Sequence, residues 1–125
     1  MRAFVFFNNL VLMEIKGNDY VNDFSTERIV KMGNMLDEAR KIINDVDAEM
    51  AVLFEKRMHA AEIVYAYKKE MGLPILDQAR EAVVIENNTK RIEDENLKEY
   101  YIEFLKNVMS LSRAYQYRMQ NSACE

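Results

Sequence analysis

The chain has 125 residues, half of them hydrophobic, and a formal net charge of −4. That is one domain with enough apolar material for a core, and its acidic balance excludes the broad basic face of a nucleic-acid binder. One cysteine, Cys124, and one histidine, His59, exclude an internal disulfide and a Cys/His zinc site, and such sparse cysteine use fits a reducing cytoplasm.

No run approaches the ~20 apolar residues of a membrane span, so no membrane partner is expected. Residues 1–33 carry Arg2 and two apolar runs, Ala3 to Phe7 and Leu10 to Met13. Asn8 and Asn9 interrupt them, and no small-residue cleavage site follows, which argues against a signal peptide. Ala3 to Leu12 fits a short strand or a helix equally well. Gly17, Asn18 and Asp19 mark a turn. Internal methionines at Met13, Met32 and Met35 leave a downstream start open. Residues 1–33 are therefore set apart as an N-terminal extension of unknown role, ahead of a helical domain over 34–120 and a frayed tail over 121–125.

Leu36 to Met71 reads as one uninterrupted helix. Apolar or small residues recur at Leu36, Ala39, Ile43, Val46, Met50, Leu53, Ala60, Val64, Tyr67 and Met71. The steps alternate three and four, a heptad seam. Arg57 stands where the seam calls for an apolar residue, and a cation there costs stability unless an anion meets it. Asn34 is the expected N-cap, with Asp37 and Glu38 in the first turn where the helix dipole favours them. Gly72 is a good C′ residue, and Pro74 blocks continuation. At 1.5 Å per residue this helix spans about 54 Å, too long for a lone domain of this size to cover. The seam therefore predicts a partner, most simply a second copy related by two-fold symmetry.

After a short connector, Leu73 to Leu76, Asp77 can cap a second helix from Gln78 to Lys90. Its inner side is expected at Ala79, Ala82, Val83, Ile85 and Glu86, with Asn87, Asn88 and Thr89 weakening its end. Asp94 can cap a third helix, Glu95 to Met119, with an apolar series at Leu97, Tyr101, Phe104, Leu105, Val108, Leu111 and Tyr115. Ser112 and Gln116 lie four apart and share a face. The expected fold class is all-α, with one very long helix, one short and one medium, in a helical homodimer.

Arg57 and Lys68 are eleven residues apart, three turns plus about 20°, so they share a face with an axial separation of about 16 Å. Two such long side chains could grip the ends of a small dianion. Arg40 lies about 25 Å from Arg57 along the axis, too far to join the same small site within its own chain. In an antiparallel two-fold dimer it could approach the Arg57 region of the other chain, giving two shared sites. Arg80 and Glu81 open the second helix, where free backbone N–H groups also attract anions. No residue set suggests nucleophilic catalysis, and no carboxylate cluster suggests a metal; no metal or cofactor is expected.

Taken singly, each of these residues has a plain structural use. Arg57 could set register or snorkel, and Lys68 with Lys69 could simply complement a helix C-terminus. Asp77 could be only a cap, Arg80 and Glu81 surface charges, and Ser112 a small packing residue. Asp47 reads as an intersubunit contact, His59 as a surface residue, and Met50, Met58 and Met109 as core filler. Only the joint spacing lifts the functional interpretation.

That spacing, Arg40-x6-Asp47-x9-Arg57-x10-Lys68-x5-Pro74-x2-Asp77-x2-Arg80-Glu81 followed by Ser112-x3-Gln116, resembles the all-helical, AroQ-class chorismate mutases. The resemblance covers residues 35 to about 119. The local sequence around Ser112 is less acidic than in some members. The resemblance implies an intertwined homodimer that converts chorismate to prephenate by an intramolecular [3,3] shift, without cofactor or covalent intermediate, for phenylalanine and tyrosine synthesis. It implies that Arg57, and Arg40 from the partner chain, bind carboxylates. Lys68 would touch the breaking ether oxygen and a carboxylate, and Gln116 would donate a second hydrogen bond to that oxygen. Glu81 and the backbone near Asp77 would take the ring hydroxyl, Ser112 would help at a carboxylate, and Arg80 would shape the pocket. Alternatives are a catalytically weak mutase-like regulatory or interaction domain, an isochorismate-pyruvate lyase of the same fold, and a purely structural helical dimer. The last would leave Arg57 exposed or paired to protein carboxylates.

Overall fold

The computed structural model describes residues 2–7, 10–16 and 23–122. The chain divides into two compact units, Met1–Ala51 and Val52–Glu125. In the first, strands β1 (Arg2–Phe7) and β2 (Leu10–Lys16) pair antiparallel, with Arg2 opposite Lys16 and Phe7 opposite Leu10. The register is irregular between Val5 and Phe6. Aromatic and β-branched residues crowd these strands, and the ambiguous segment is strand rather than helix over 3–7 and 10–12. The expected turn at Gly17 to Asp19 and the lone Cys124 lie outside the described residues.

From Asp23 onward the fold is all-α, with the expected long, short and medium helices: α1 (Asp23–Met71), α2 (Gln78–Thr89) and α3 (Lys98–Ser122). Helix α1 starts eleven residues before Asn34, so Asn34 is an interior residue and not its N-cap. Gly33 and Asn34 each disfavour helix by roughly 1 kcal/mol or less relative to Ala. Good helix formers on both sides, Glu27, Arg28, Lys31 and Met32 before and Met35 and Leu36 after, outweigh that.

The exit from α1 follows the sequence closely. Gly72 has φ +66, its N–H donates to the Lys69 carbonyl, and the Leu73 N–H donates to the Lys68 carbonyl at 2.8 Å. This is a Schellman motif, which satisfies two of the helix's orphan carbonyls. Asp77 caps α2, its Oδ1 accepting from the Arg80 N–H at 2.9 Å. At the other end of α2, Asn88 and Thr89 turn their side chains back to the carbonyls of Val84 and Ile85, the local competition for backbone partners expected of such residues. Asp94 caps a single 3-10 turn, Glu95–Leu97, ahead of α3 rather than capping α3 itself.

In the second unit α2 packs on α3. The buried apolar residues are Ala61, Tyr65, Ile75, Leu105 and Met109, joined by the buried polar residues Ser112 and Gln116. The buried stripe of α3 therefore runs Leu105, Met109, Ser112, Gln116; Leu105 is as expected, and the rest lies one step around the helix from the expected series, of which Leu97, Phe104 and Leu111 are exposed. On α2, Val83 is exposed and Glu81, Val84 and Ile85 are the half-buried face. Two hydrogen bonds tie α3 to α1: Arg57 Nη1 to Ser112 Oγ at 2.6 Å, and Tyr115 Oη to Glu62 Oε1 at 2.5 Å. The seam of α1 is a different matter. Leu36, Ile43, Val46, Met50, Leu53, Val64, Tyr67 and Met71 are all exposed.

Candidate active site

A cavity of about 290 Å³ lies inside the second unit, at the small end of ligand sites. Every helix contributes to it. Helix α1 supplies Arg57 and Lys68, three turns apart on one face, with Ala60, Ala61 and Val64 between them. The connector supplies Ile75 and Asp77. Helix α2 supplies Arg80, Glu81 and Val84 from its first two turns, and α3 supplies Met109, Ser112, Arg113 and Gln116.

The local hydrogen bonds leave three of the four cations without counter-charges among the described residues. Arg57 donates to the neutral Ser112 hydroxyl, and the Val108 carbonyl is 3.0 Å from the same oxygen, placed to accept its proton. Lys68 Nζ donates to the Ile75 carbonyl at 2.5 Å. Arg80 commits its backbone N–H to Asp77. Among the described residues, none of Arg57, Lys68 and Arg80 has a carboxylate partner. Of the two carboxylates on the wall, Asp77 serves as the α2 cap and Glu81 is paired with Arg113. Four cations therefore face two carboxylates, a local excess of positive charge on a protein of net charge −4.

Gln116 is buried, and its Oε1 has no hydrogen-bond partner among the described residues. An unsatisfied buried amide oxygen costs about 1–3 kcal/mol. The amide oxygen and nitrogen are nearly interchangeable in shape, so a flip of the group presents a donor to the same place. The arrangement is suited to holding a small polyanion and to hydrogen-bonding an atom near Gln116. Among the described residues no group of His, Cys, Asp or Glu gathers to hold a metal ion.

Seven residues singled out from the sequence, Arg57, Lys68, Asp77, Arg80, Glu81, Ser112 and Gln116, line this one cavity. Arg40 does not; it belongs to the other compact unit. The purely structural alternative needs Arg57 exposed or paired to protein carboxylates. Instead Arg57 is half-buried and bonded to a neutral hydroxyl. Sequence reasoning missed Arg113, although it follows Ser112 directly and stands three residues before Gln116, a spacing that keeps it near the same face. It also passed over Ile75, whose carbonyl holds Lys68.

Outside the cavity, the Tyr115 hydroxyl has its pKa raised, chiefly because it donates to the Glu62 carboxylate, with desolvation and the Glu62 charge adding to this.

A family model described as chorismate mutase type II matches residues 39–117 of the chain. No curated protein and no solved structure matches it.

Proposed function

The chain belongs to the chorismate mutase type II family, a family of isomerases, and from that premise we propose that it rearranges chorismate to prephenate in the cytoplasm, in the supply of phenylalanine and tyrosine. The observation that carries the proposal is the trio Arg57, Lys68 and Arg80, gathered on one cavity with no carboxylate partner among the described residues. Chorismate is a dianion with an ether oxygen between its two carboxylate-bearing parts, and it supplies the missing anions.

The reaction needs two things from the protein. The flexible substrate must be held in the compact conformer in which the new C–C bond forms as the C–O bond breaks. Fixing reacting groups in this way can contribute roughly 7–11 kcal/mol. Arg57 binds one carboxylate, with Ser112 steadying its guanidinium. Arg80 shapes the wall beside it. Negative charge also grows on the ether oxygen as the C–O bond lengthens. Lys68 leaves the Ile75 carbonyl to donate to that oxygen, and Gln116, its amide turned to present N–H, donates a second hydrogen bond. Each preorganised donor of this kind is worth about 3–4 kcal/mol. Glu81, with the backbone near Asp77, accepts the ring hydroxyl. No proton is transferred and no covalent bond to the protein forms.

We further infer a two-fold dimer in which Arg40 of each chain completes the partner's site. Its support is the exposed seam. Ile43, Leu53 and Tyr67 keep 56%, 61% and 60% of their surface uncovered in the single chain. Contiguous apolar surface of this extent marks an interface. A second copy would cover it at about 25 cal/mol for each Å² removed from water.

Product identification tests the proposal. Incubated with chorismate, the protein is expected to yield prephenate alone. Pyruvate released from isochorismate, with chorismate untouched, would instead assign a lyase, and conversion of neither would leave a binding domain.

A further inference from the structure

Arg113 has no role in the proposal above, yet it lines the cavity and its guanidinium hydrogen-bonds Glu81. We propose that Arg113 is a positioning residue for Glu81, holding its carboxylate on the α2–α3 wall so that its other oxygen meets the substrate's ring hydroxyl. The inference rests on the mutase proposal, which puts the hydroxyl at Glu81.

Three observations lead to it. The pair joins two helices, with side chains 28% and 26% exposed. The pairs Lys90–Glu86 and Lys106–Glu103, by contrast, join neighbours on one helix and are more than half exposed. Helices α2 and α3 already pack on one another, with Leu105 and Met109 of α3 buried and Val84 and Ile85 of α2 half-buried, so the pair is not needed to bring them together. The third observation is electrostatic. Glu81 shares its cavity with Arg57, Lys68 and Arg80, none of which has a carboxylate partner among the described residues. A mobile Glu81 would swing toward one of these cations and occupy a place meant for a substrate carboxylate. A guanidinium offers a planar fork that fixes a carboxylate's direction as well as its charge. Arg113 therefore does two things: it aims Glu81 at the hydroxyl and keeps it from neutralising the substrate-binding cations.

This predicts a characteristic pattern in a double-mutant cycle on the purified protein. Arg113→Met is expected to lower kcat/KM for chorismate about tenfold, chiefly through KM, because the freed Glu81 competes with the substrate. Arg113→Lys, which keeps a cation beside Glu81 but not the planar fork, is expected to recover only part of the lost activity. The double variant Arg113→Met/Glu81→Gln is no worse than Glu81→Gln alone, since Arg113 acts only through Glu81. Melting temperatures accompany each variant, and Arg113→Gln replaces the Met variant if that protein does not fold. Unchanged kinetics in Arg113→Met would overturn the inference. So would losses that multiply in the double variant, the signature of a plain helix clamp that acts independently of the Glu81 carboxylate. If the unaltered protein leaves chorismate intact, the mutase proposal and this inference fall together; if it turns chorismate over while the cycle is additive, only this inference falls.

Discussion

The cavity and the α1 seam are unsatisfied in opposite senses. The cavity gathers Arg57, Lys68 and Arg80 around a buried amide oxygen, and what it lacks is negative charge and a hydrogen-bond partner. The seam gathers Ile43, Val46, Met50 and Leu53, and what it lacks is apolar cover. Unpaired polar groups in a cleft ask for a small polar ligand, because only matched charges and hydrogen bonds recover their desolvation. Uncovered apolar rows ask for another protein surface, because burial is non-directional and needs area. Arg57 belongs to both patterns. It occupies a heptad position in the seam and yet turns into the cavity to meet Ser112.

The comparison can be broken from either side. The largest effect is expected from the seam. Leu53→Asp would place an uncompensated charge in the proposed interface, costing several kcal/mol. Sedimentation should then find monomer, and activity should vanish with the dimer; a fully active dimer would show that the seam is not the interface. Next comes the cavity. Lys68→Ala removes the donor proposed for the ether oxygen and should lower kcat by roughly 10²–10³, a loss far larger than any accompanying change in melting temperature. Gln116→Glu sharpens the same point. A carboxylate there repels the growing charge, whereas a carboxylic acid donates to it. Activity should be low at neutral pH and rise as the pH falls, and a flat profile would remove Gln116 from the ether oxygen. The smallest effect belongs to Tyr115→Phe, which loses only the hydrogen bond to Glu62 and should lower the melting temperature slightly. The tyrosine's pKa is raised in the folded state. Its contribution is therefore complete below its ordinary value of about 10 and is lost as the pH climbs through the folded value. Melting temperatures of wild type and Tyr115→Phe should begin to approach one another above about pH 10 and meet only once the pH exceeds the raised folded value.

Much of this was legible in the sequence, for identifiable reasons. Helix ends are local events. Gly72 with Pro74, and Asp77 three residues before Arg80, act through backbone groups within one turn, and both stand where the spacing put them. Arg57 and Lys68 were placeable because eleven residues is close to a whole number of turns. The start of α1 was not legible, because Asn34 looks like a cap only if the preceding segment is not helical. The buried side of α3 was misjudged by one step because its outer face is apolar too: Leu97, Phe104 and Leu111 are as hydrophobic as the residues that pack. Apolar periodicity cannot separate a face that meets its own chain from one that awaits another. Arg113 was hidden for a related reason. Its partner Glu81 is 32 residues away on another helix, and no local pattern links the two.

If each catalytic site is shared by two chains, mixing two inactive variants should restore activity. Arg40→Ala and Arg57→Ala each spoil both sites of the proposed dimer. Unfolded together and refolded, half of the dimers should pair one chain of each kind, and each of these should carry one whole site. The mixture is predicted to regain about one quarter of the wild-type chorismate turnover. A mixture no more active than its two components would contradict the shared site.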